Sequence, residues 1–384
     1  MKSDRIFTVV FIIVAGFALS VIFHYSMGNY FGFNSYPHNT FLFTPADKFN
    51  DFFNIYRATE HLNPYSNPLC CYFPFTYMPV YLLTLIPEKL ALAILVGIFI
   101  CSVYYIVYRS NSRADKYLKN LCAFSFTFMS YPVLFTIDRG NLEIIVFLFL
   151  AIFFYYYQAG DDKKSVFFLA LASAMKLYPG IFVVLFLADR KYKSAAYTVV
   201  IAIVVSLVSA SILSGGIFGS LQGLQQNLAY FKQTYFFSGA GVQHNNSIYG
   251  IFNIIHKIIP SAAPILGFYS IIALAIFVFV SMYIIFVEKQ FWKRTALLVF
   301  MMLLLPQVSF DYKLIHVIFV VMLFFKSQEV DRHDVFYAMF LGLLLIPKDY
   351  ILLKSDISIA VLLNPLIMVL IAARIMLNRP VSIK

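Results

Sequence analysis

The sequence predicts an all-α polytopic membrane protein. Of its 384 residues, 61% are hydrophobic and only 12% are charged, and the mean hydropathy is +0.81. A soluble globular domain carries roughly twice that share of charged residues. Apolar runs long enough to cross a bilayer, at roughly 20 residues each, recur from one end of the chain to the other. Residues 1–384 are therefore expected to form a single integral bundle.

The first apolar run begins close to the N-terminus and follows two basic residues, Lys2 and Arg5. A signal peptide would have a small-residue cleavage site after this run, and the segment from His24 to Met27 does not supply one. We therefore expect a retained first helix whose N-terminus lies in the cytoplasm.

Hydropathy divides the chain into twelve apolar segments, which predict about twelve transmembrane helices. They are residues 6–24, 72–87, 88–108, 120–137, 142–158, 165–188, 195–214, 266–287, 295–310, 314–325, 335–347 and 357–376. If each segment crosses once, the two long polar intervals, 25–71 and 215–263, both lie on the outer side.

The distribution of Lys and Arg gives this arrangement almost no bias toward the inside, although the positive-inside rule requires one. A second arrangement has a stronger bias. In it, residues 72–87 lie along the outer interface and residues 165–188 form a hairpin that re-enters from the cytoplasm. Both arrangements place 25–71 and 215–263 outside, so the functional argument is the same for each.

Composition also narrows the class of function. The net charge is +11, but the basic residues are spread among loops instead of gathered with aromatics on one face, which argues against nucleic-acid binding. The four cysteines, at positions 70, 71, 101 and 122, have no C-x-x-C spacing and no histidine at ligand spacing. The sequence therefore predicts neither a metal site nor a disulfide framework.

Asp51, in the first outer interval, is the candidate catalytic residue. A carboxylate in an outer loop close to the membrane can accept a proton from a hydroxyl nucleophile. One base suffices for a single inverting displacement at a sugar carbon, because the departing phosphate needs little protonation. Residue type alone favours a helix N-cap, since Asn50 and Asp51 precede the helix-like run FFNIYRATEHL. Asp47 is the competing carboxylate.

Lys176 lies inside an apolar segment, in the piece SAMKLYPG. An ionisable residue in such a segment normally faces a cavity or a charged partner. A helix broken by Pro179 and Gly180 can also expose backbone groups to a phosphate. The alternative is a lysine that snorkels to the interface. The position in the middle of the segment favours contact with a phosphate.

The second outer interval contains a dense group of hydrogen-bonding side chains, Gln243-His244-Asn245-Asn246-Ser247. Such a group is suited to sugar hydroxyls, and the aromatics around it can stack on pyranose faces. An ordinary solvated loop with a turn at Gly239 to Gly241 explains the composition equally well.

Two shorter polar pieces complete the set of candidates. The first, PQVSFDYKLIH at 306–316, is expected to bring Asp311, Lys313 and His316 to the outer surface, where a lysine could hold a phosphate as a point charge. A loop that simply carries charges is the alternative. The second, DRGN at 138–141, is a short polar turn for which we expect an internal ion pair.

The order of these pieces resembles the sequence pattern of glycosyltransferase family 87, whose members use polyprenyl-phosphate sugars. The pieces are Asp51 followed by Tyr56, then NPY and PFTYMP, MKLYPG, HNNSIYG and PQVSFDY, between about residue 5 and about residue 320. The resemblance implies that Asp51 is the general base and that Lys176 belongs to the family's K-x-x-P piece.

The resemblance also extends the set of substrate-binding residues. Asn246 and Ser247 fall in the family's asparagine-serine piece, and we expect the following residues to contact substrate with them: Tyr56, Arg57, His244, Asn245, Lys313 and His316. Two pieces depart from the family pattern. Met78 stands where the first of two prolines is common, and Ser309-Phe310-Asp311-Tyr312 lacks the histidine of S-W-x-H, so His316 or Lys313 would have to replace it.

The architecture implied by the resemblance is that of the GT-C class. Residues 1–214 would form a seven-helix module whose first outer loop, 25–71, contains amphipathic juxtamembrane helices and the catalytic carboxylate. Residues 215–384 would supply the second outer loop, 215–263, and the C-terminal helices. This arrangement favours the twelve-span topology.

The function implied is transfer of a sugar, mannose, glucose or a pentose, from a polyprenyl-phosphate donor to an acceptor glycan or glycolipid. The reaction is expected on the outer, periplasmic face of a bacterial inner membrane, where membrane lipid surrounds the protein. A monophosphate leaving group reduces the need for a divalent metal, so the lipid-linked donor is the only small-molecule requirement we expect.

Two other functions fit the same features. A transporter or flippase for lipid-linked sugars would use the embedded Lys176 as a substrate site near the midplane, but transporters usually show repeat symmetry and short outer loops. A ligase or polymerase of lipid-linked oligosaccharides is chemically adjacent to the transferase.

Overall fold

The computed structural model of the protein describes residues 2–33, 48–111, 114–235, 240–259, 263–329, 331–350 and 357–378. Asp47 and most of the preceding polar interval lie outside these residues. Within the described residues the regular elements are helices, apart from a bridge residue at Ser358, and the all-α class is confirmed.

The helices are numbered in chain order. They are α1 (Lys2–Phe31), α2 (Asn50–Thr59), α3 (Pro74–Leu83), α4 (Glu88–Ser110), α5 (Lys116–Phe128), α6 (Tyr131–Arg139), α7 (Glu143–Ala159), α8 (Asp162–Met175), α9 (Val183–Ala188), α10 (Tyr192–Ile212), α11 (Gly216–Tyr235), α12 (Ala240–Gln243), α13 (Ile248–Ile258), α14 (Ala263–Phe286), α15 (Phe291–Leu304), α16 (Val317–Lys326), α17 (Asp334–Leu343) and α18 (Ala360–Leu377). Short 3-10 helices cover Pro64–Ser66, Tyr178–Phe182 and Asp311–His316.

Five helices in the described part of the chain are long and apolar enough to cross a membrane: α1, α4, α10, α14 and α18. The pair α5 and α6, bent by 41°, makes a sixth if it counts as one span. These helices indicate an integral membrane protein. The number is lower than the twelve spans that hydropathy predicts.

The difference arises because hydropathy detects apolar composition but not the continuity of a helix. The segment 72–87 contains α3, which has only 10 residues, and 165–188 is interrupted at Lys176, where the backbone is extended. Residues 314–325 begin in a 3-10 helix and continue as the 10-residue α16. A helix of 10 residues rises about 15 Å, roughly half the thickness of the hydrocarbon core.

Contacts between Cα atoms divide the chain into two compact units. We call residues 47–99 and 139–238 the Asp51 unit, and residues 1–46, 100–138 and 239–384 the Asp311 unit. In the Asp51 unit, α8 packs between α7 and α10, and α3 packs against both α8 and α10. Helix α2 packs against α3. The seven-helix module stays a prediction.

Helix α2 is the amphipathic helix expected in the first outer interval. Phe52, Ile55, Tyr56 and Thr59 are buried and recur at the i, i+3, i+4, i+7 spacing of one helix face. The aromatic residues on this face therefore pack against protein. The orientation of α2 to a membrane surface stays a prediction.

Helix α11, at the start of the polar interval 215–263, binds the segment that leads into α3. The side-chain amide of Asn227 donates hydrogen bonds to the carbonyl oxygens of Tyr65, Asn67 and Cys70, at 3.2, 2.9 and 2.9 Å. Gly223 allows close contact, since a Cβ atom there would lie 2.6 Å from the Cβ of Tyr65. The two polar intervals are thus joined within the Asp51 unit.

In the Asp311 unit, α1 packs against α17 and α5, and α15 packs against α16 and α18. Arg5, in the N-terminal segment that we predict to be cytoplasmic, is buried. Its Nε donates to Asp334 at 2.8 Å and its Nη1 donates to the carbonyl of Phe324 at 3.0 Å. These contacts fix the start of α1.

Gly140 joins α6 to α7 and allows α2 to approach the chain between them. Its φ is +61°, and a Cβ atom there would lie 2.9 Å from the Cβ of Phe52 and 3.2 Å from the Cβ of Phe49. Gly160 is a matched glycine in the same unit, with φ +76° and open space around the position of a Cβ. Alanine substitutions at these two glycines therefore distinguish the cost of a positive φ from the cost of a clash with α2.

We expect Gly140→Ala to destabilise the protein more than Gly160→Ala. An L-residue at positive φ costs roughly 1–2 kcal/mol at either position, and only Gly140→Ala adds a clash with α2. Thermal unfolding of the purified variants in detergent measures the difference. Equal losses in the two variants would contradict the close packing of α2 on Gly140.

Candidate functional site

Three elements of the Asp51 unit bring polar side chains together: the first turn of α2, the turn after α6 and the break after α8. We call this group the Asp51 cluster. It consists of Asp51, Tyr72, Arg139, Asn141, Glu143, Lys176 and Tyr178.

Asp51 lies in the first turn of α2, but it is not the N-cap. The N-cap is Phe49, at φ 60°, and it makes no side-chain capping bond. The Asp51 carboxylate accepts from Arg139 Nη2 at 2.6 Å and Nε at 3.3 Å, and from Asn141 Nδ2 at 2.6 Å. The N-cap interpretation is therefore wrong, because charged and amide donors from another part of the chain hold the carboxylate.

Lys176 ends α8 and its side chain is paired. The ammonium donates to Glu143 Oε2 at 2.6 Å and to Asn141 Oδ1 at 3.4 Å, and it lies 5.2 Å from the centroid of the Tyr72 ring. The side chain of Lys176 is 9% exposed and that of Glu143 is fully buried. The ammonium does not extend to water, so the snorkelling interpretation is wrong. Its charge is compensated by Glu143.

Asn141 connects the two ion pairs of the cluster. Its Nδ2 donates to Asp51, while its Oδ1 accepts from the backbone N–H of Glu143 at 2.9 Å as well as from Lys176. One amide therefore fixes the relative positions of the Asp51 carboxylate and the Lys176 ammonium.

Sequence reasoning missed Arg139, Asn141 and Glu143 as site residues. We expected an ion pair within the turn 138–141, whereas Arg139 binds Asp51, 88 positions earlier in the chain. A signal for Glu143 was present. It is an acidic residue at the edge of an apolar segment, and an embedded lysine requires a partner of opposite charge.

Short hydrogen bonds stabilise the break at Lys176. Tyr178 donates to Glu143 Oε1, and Thr76 Oγ1 donates to the carbonyl of Met175 at 2.6 Å.

Two cysteines, Cys70 and Cys71, lie in the chain segment before α3. Burial raises the pKa of the Cys70 thiol to about 12 and that of the Cys71 thiol to about 11. Both thiols are therefore neutral at physiological pH and unsuited to nucleophilic attack.

The structure does not bring Tyr56 and Arg57 to the Asp51 cluster. The buried Tyr56 hydroxyl donates to the carbonyl of Ile86 at 2.6 Å, and the largely exposed Arg57 pairs with Glu88 at 3.2 Å. Both residues lie on other faces of α2, because five and six helical positions rotate a side chain away from that of Asp51.

A second polar group lies in the Asp311 unit. We call it the Asp311 network, and it consists of Tyr131, Asn246, Asp311 and Asn364. The Asp311 carboxylate accepts from Asn246 Nδ2 at 2.8 Å, Asn364 Nδ2 at 3.2 Å and the Tyr131 hydroxyl at 3.2 Å. Burial raises the pKa of Asp311 to about 6, against the opposing effect of the positive charge of Lys348.

The predicted exposure of the segment 306–316 is wrong. Asp311, Lys313 and His316 are all buried in the 3-10 helix that precedes α16. Lys313 Nζ donates to the carbonyl of Val308 at 3.0 Å, and the His316 ring stacks on Phe319. The polar segment folds into the unit because its side chains find hydrogen-bonding partners there.

The Asn245, Asn246 and Ser247 side chains also bind protein groups, so the solvated-loop interpretation of this segment is wrong. Asn245 Nδ2 donates to the carbonyl of Gln307 at 2.7 Å, and its Oδ1 accepts from the backbone N–H of Ser309 at 2.9 Å. Ser247 is the N-cap of α13. Gly239, part of the predicted turn, lies outside the described residues.

His244 keeps part of its side chain accessible, with 24% of it exposed. Its Nδ1 lies 3.2 Å from Asp349 Oδ1, and the Asp349 side chain is buried. Burial raises the pKa of Asp349 to about 6.

Comparison with known proteins adds a family match to this geometry. The model of glycosyltransferase family 87 matches residues 71–306. No curated protein and no solved structure matches the chain significantly. The matched region includes Arg139, Asn141, Glu143 and Lys176, whereas Asp51 precedes it and Asp311 follows it.

We expect the free energy of unfolding to fall as the pH rises, because the buried carboxyl group of Asp349 becomes ionised. Its folded-state pKa of about 6 lies above the ordinary value of 3.8, so its contribution to stability is fully present below pH 3.8 and lost as the pH rises through 6. The change amounts to about 3 kcal/mol. Asp349→Asn, which does not titrate, should gain thermal stability relative to the wild type between pH 4.5 and 7. A difference independent of pH would contradict the buried carboxylate.

Breaking the buried pair of Lys176 and Glu143 should be strongly destabilising. Lys176→Met leaves Glu143 buried without its cation, a change of the kind that costs about 3–5 kcal/mol. Lys176→Met combined with Glu143→Gln should lose less than the sum of the two single variants, as measured by thermal unfolding. Lys164→Met, at a surface pair with Asp161, is the control and should unfold close to the wild-type temperature.

Proposed function

The chain belongs to glycosyltransferase family 87, and from the geometry of the Asp51 cluster we propose that it transfers a sugar from a polyprenyl-phosphate donor to an acceptor hydroxyl, with Asp51 as general base. Family membership makes the protein a glycosyltransferase that uses a sugar donor and an acceptor, and its long apolar helices indicate that it is embedded in a membrane. The observation that carries the proposal is a partly exposed carboxylate that shares Asn141 as a hydrogen-bonding partner with a buried lysine.

The proposed reaction is a single inverting displacement. The acceptor hydroxyl oxygen attacks the anomeric carbon of the donor sugar, and its proton passes to a carboxylate oxygen of Asp51. The bond between the anomeric carbon and the phosphate oxygen breaks, and the polyprenyl phosphate leaves with the electron pair. The Asp51 side chain is 18% exposed, so it is not sealed inside the unit.

Lys176 belongs to the donor site in this proposal. Its ammonium, which has three N–H donors, would hydrogen-bond a phosphate oxygen of the donor while it remains paired with Glu143. The prenyl chain stays in the lipid. His244, which is partly exposed, is the residue of the second outer interval that we propose for substrate contact.

The proposal also specifies the sugar, the acceptor and the side of the membrane on which the reaction takes place. We propose mannose, glucose or a pentose as the sugar, a glycan or glycolipid as the acceptor, and the periplasmic face of a bacterial inner membrane as the site of reaction. A mode of action that leaves the donor lipid in the bilayer is consistent with an apolar protein of this kind.

Asp51→Asn should abolish most of the transfer activity. The amide keeps the size of the side chain but does not accept the proton, and loss of a proton-transfer group lowers the rate by about 10² or more. The assay uses purified protein with a panel of radiolabelled polyprenyl-phosphate sugars and extracted membrane glycolipids as acceptors. Asp47→Asn is the matched control.

Two results would overturn the proposal in different ways. If Asp51→Asn retains full transfer while Asp47→Asn is inactive, the base is Asp47. If the wild-type protein moves label across a bilayer without forming a glycosidic product, the protein is a transporter of lipid-linked sugars.

A further inference from the structure

Both oxygens of the Asp51 carboxylate accept hydrogen bonds in this structure. Arg139 binds both of its oxygens, and Asn141 binds one of them as well. An acceptor hydroxyl that gives its proton to Asp51 must reach a carboxylate oxygen that the guanidinium now occupies. Asp51 would therefore receive an acceptor only after Arg139 has moved away.

The charges of the Asp51 cluster indicate which ligand could draw Arg139 away from Asp51. Asp51 and Glu143 carry two negative charges, and Arg139 and Lys176 carry two positive charges, so these four side chains are neutral together. A polyprenyl-phosphate sugar is a phosphodiester and brings one more negative charge. Arg139 and Lys176 are the two cations of the cluster that could turn toward it.

Burial indicates which of the two cations can leave its carboxylate at the lower cost. Lys176 is 9% exposed and its partner Glu143 is fully buried, so separating them would leave a buried carboxylate without its cation. Arg139 is 33% exposed and Asp51 is 18% exposed, and Asp51 would keep the 2.6 Å hydrogen bond from Asn141 after Arg139 has left. Arg139 is therefore the cation whose release costs less.

We propose that Arg139 covers Asp51 until the donor binds, and that the donor phosphate then draws the guanidinium away and frees the base. This inference rests on the proposed function. The planar guanidinium has paired N–H donors that match two phosphate oxygens as well as two carboxylate oxygens. Asn141 keeps the carboxylate in place, so acceptor activation follows donor binding.

The proposal predicts that Asp51 and a phosphate compete for Arg139. The test measures the equilibrium binding of radiolabelled farnesyl phosphate to the full chain in nanodiscs, with empty nanodiscs as the blank. Arg139→Gln should weaken binding by about 10-fold or more, and Asp51→Asn should tighten it by about 5-fold or more, the usual range for coupled sites. Arg190→Gln is the control for loss of one exposed positive charge in the same unit and should bind as the wild type does.

The double variant separates competition from simple repulsion between Asp51 and the phosphate. In the Arg139→Gln background, Asp51→Asn should no longer tighten binding, because no guanidinium is left to be released. Tightening of the same size in both backgrounds, or unchanged binding in Arg139→Gln, would overturn the proposal. If Arg139→Gln fails to fold, Arg139→Lys replaces it in the test. Lysine keeps the positive charge but lacks the paired N–H donors of the guanidinium. This variant should bind farnesyl phosphate more weakly than the wild type, and Asp51→Asn should have a smaller effect in its background.

These measurements do not depend on glycosyl transfer, so the two proposals fail separately. Full transfer by Asp51→Asn would remove Asp51 as the base while leaving the competition for Arg139 intact. Loss of transfer without any coupling in the binding cycle would keep Asp51 as the base and overturn the role of Arg139.

Discussion

The buried ion pair between Lys176 and Glu143 is the interaction on which the Asp51 unit depends. Either charge alone would be strongly unfavourable in an apolar interior, so the two must fold together. Their pairing fixes the end of α8 against the start of α7. It also positions Asn141, through which the ammonium is connected to the Asp51 carboxylate. The geometry of the candidate catalytic residue is thus a consequence of satisfying a buried lysine.

The two ion pairs of the Asp51 cluster differ in burial, and this difference gives them different roles. The pair of Lys176 and Glu143 is shielded from water and holds the helices in place. The pair of Arg139 and Asp51 is partly exposed, so separating it leaves charges that water or a ligand can stabilise. In the proposed reaction the buried pair would keep the site in place, and the exposed pair would supply a carboxylate that can be uncovered.

The Asp311 unit shows that residues suited to chemistry can also serve structure. Asn246 and Asp311 come from separate polar segments that both looked like candidate substrate contacts, and they bind each other in the interior. Asn245 and Ser247 satisfy backbone groups in the same region. These pairings between buried donors and acceptors explain part of the polar composition of the two segments. The His244 side chain is partly exposed.

The sequence alone determined the membrane class, the helical nature, the family and the two unusual ionisable residues, Asp51 and Lys176. The membrane class and the helical nature are properties of composition, and hydropathy reports them directly. The family follows from the order of short motifs, and the two ionisable residues stand out by their local positions. The tertiary structure decided which residues surround them. The partner of Asp51 lies 88 positions away and that of Lys176 lies 33 positions away, at distances along the chain that no local pattern encodes. It also decided where helices break, because a break forms where distant groups satisfy the backbone and side chains that it exposes.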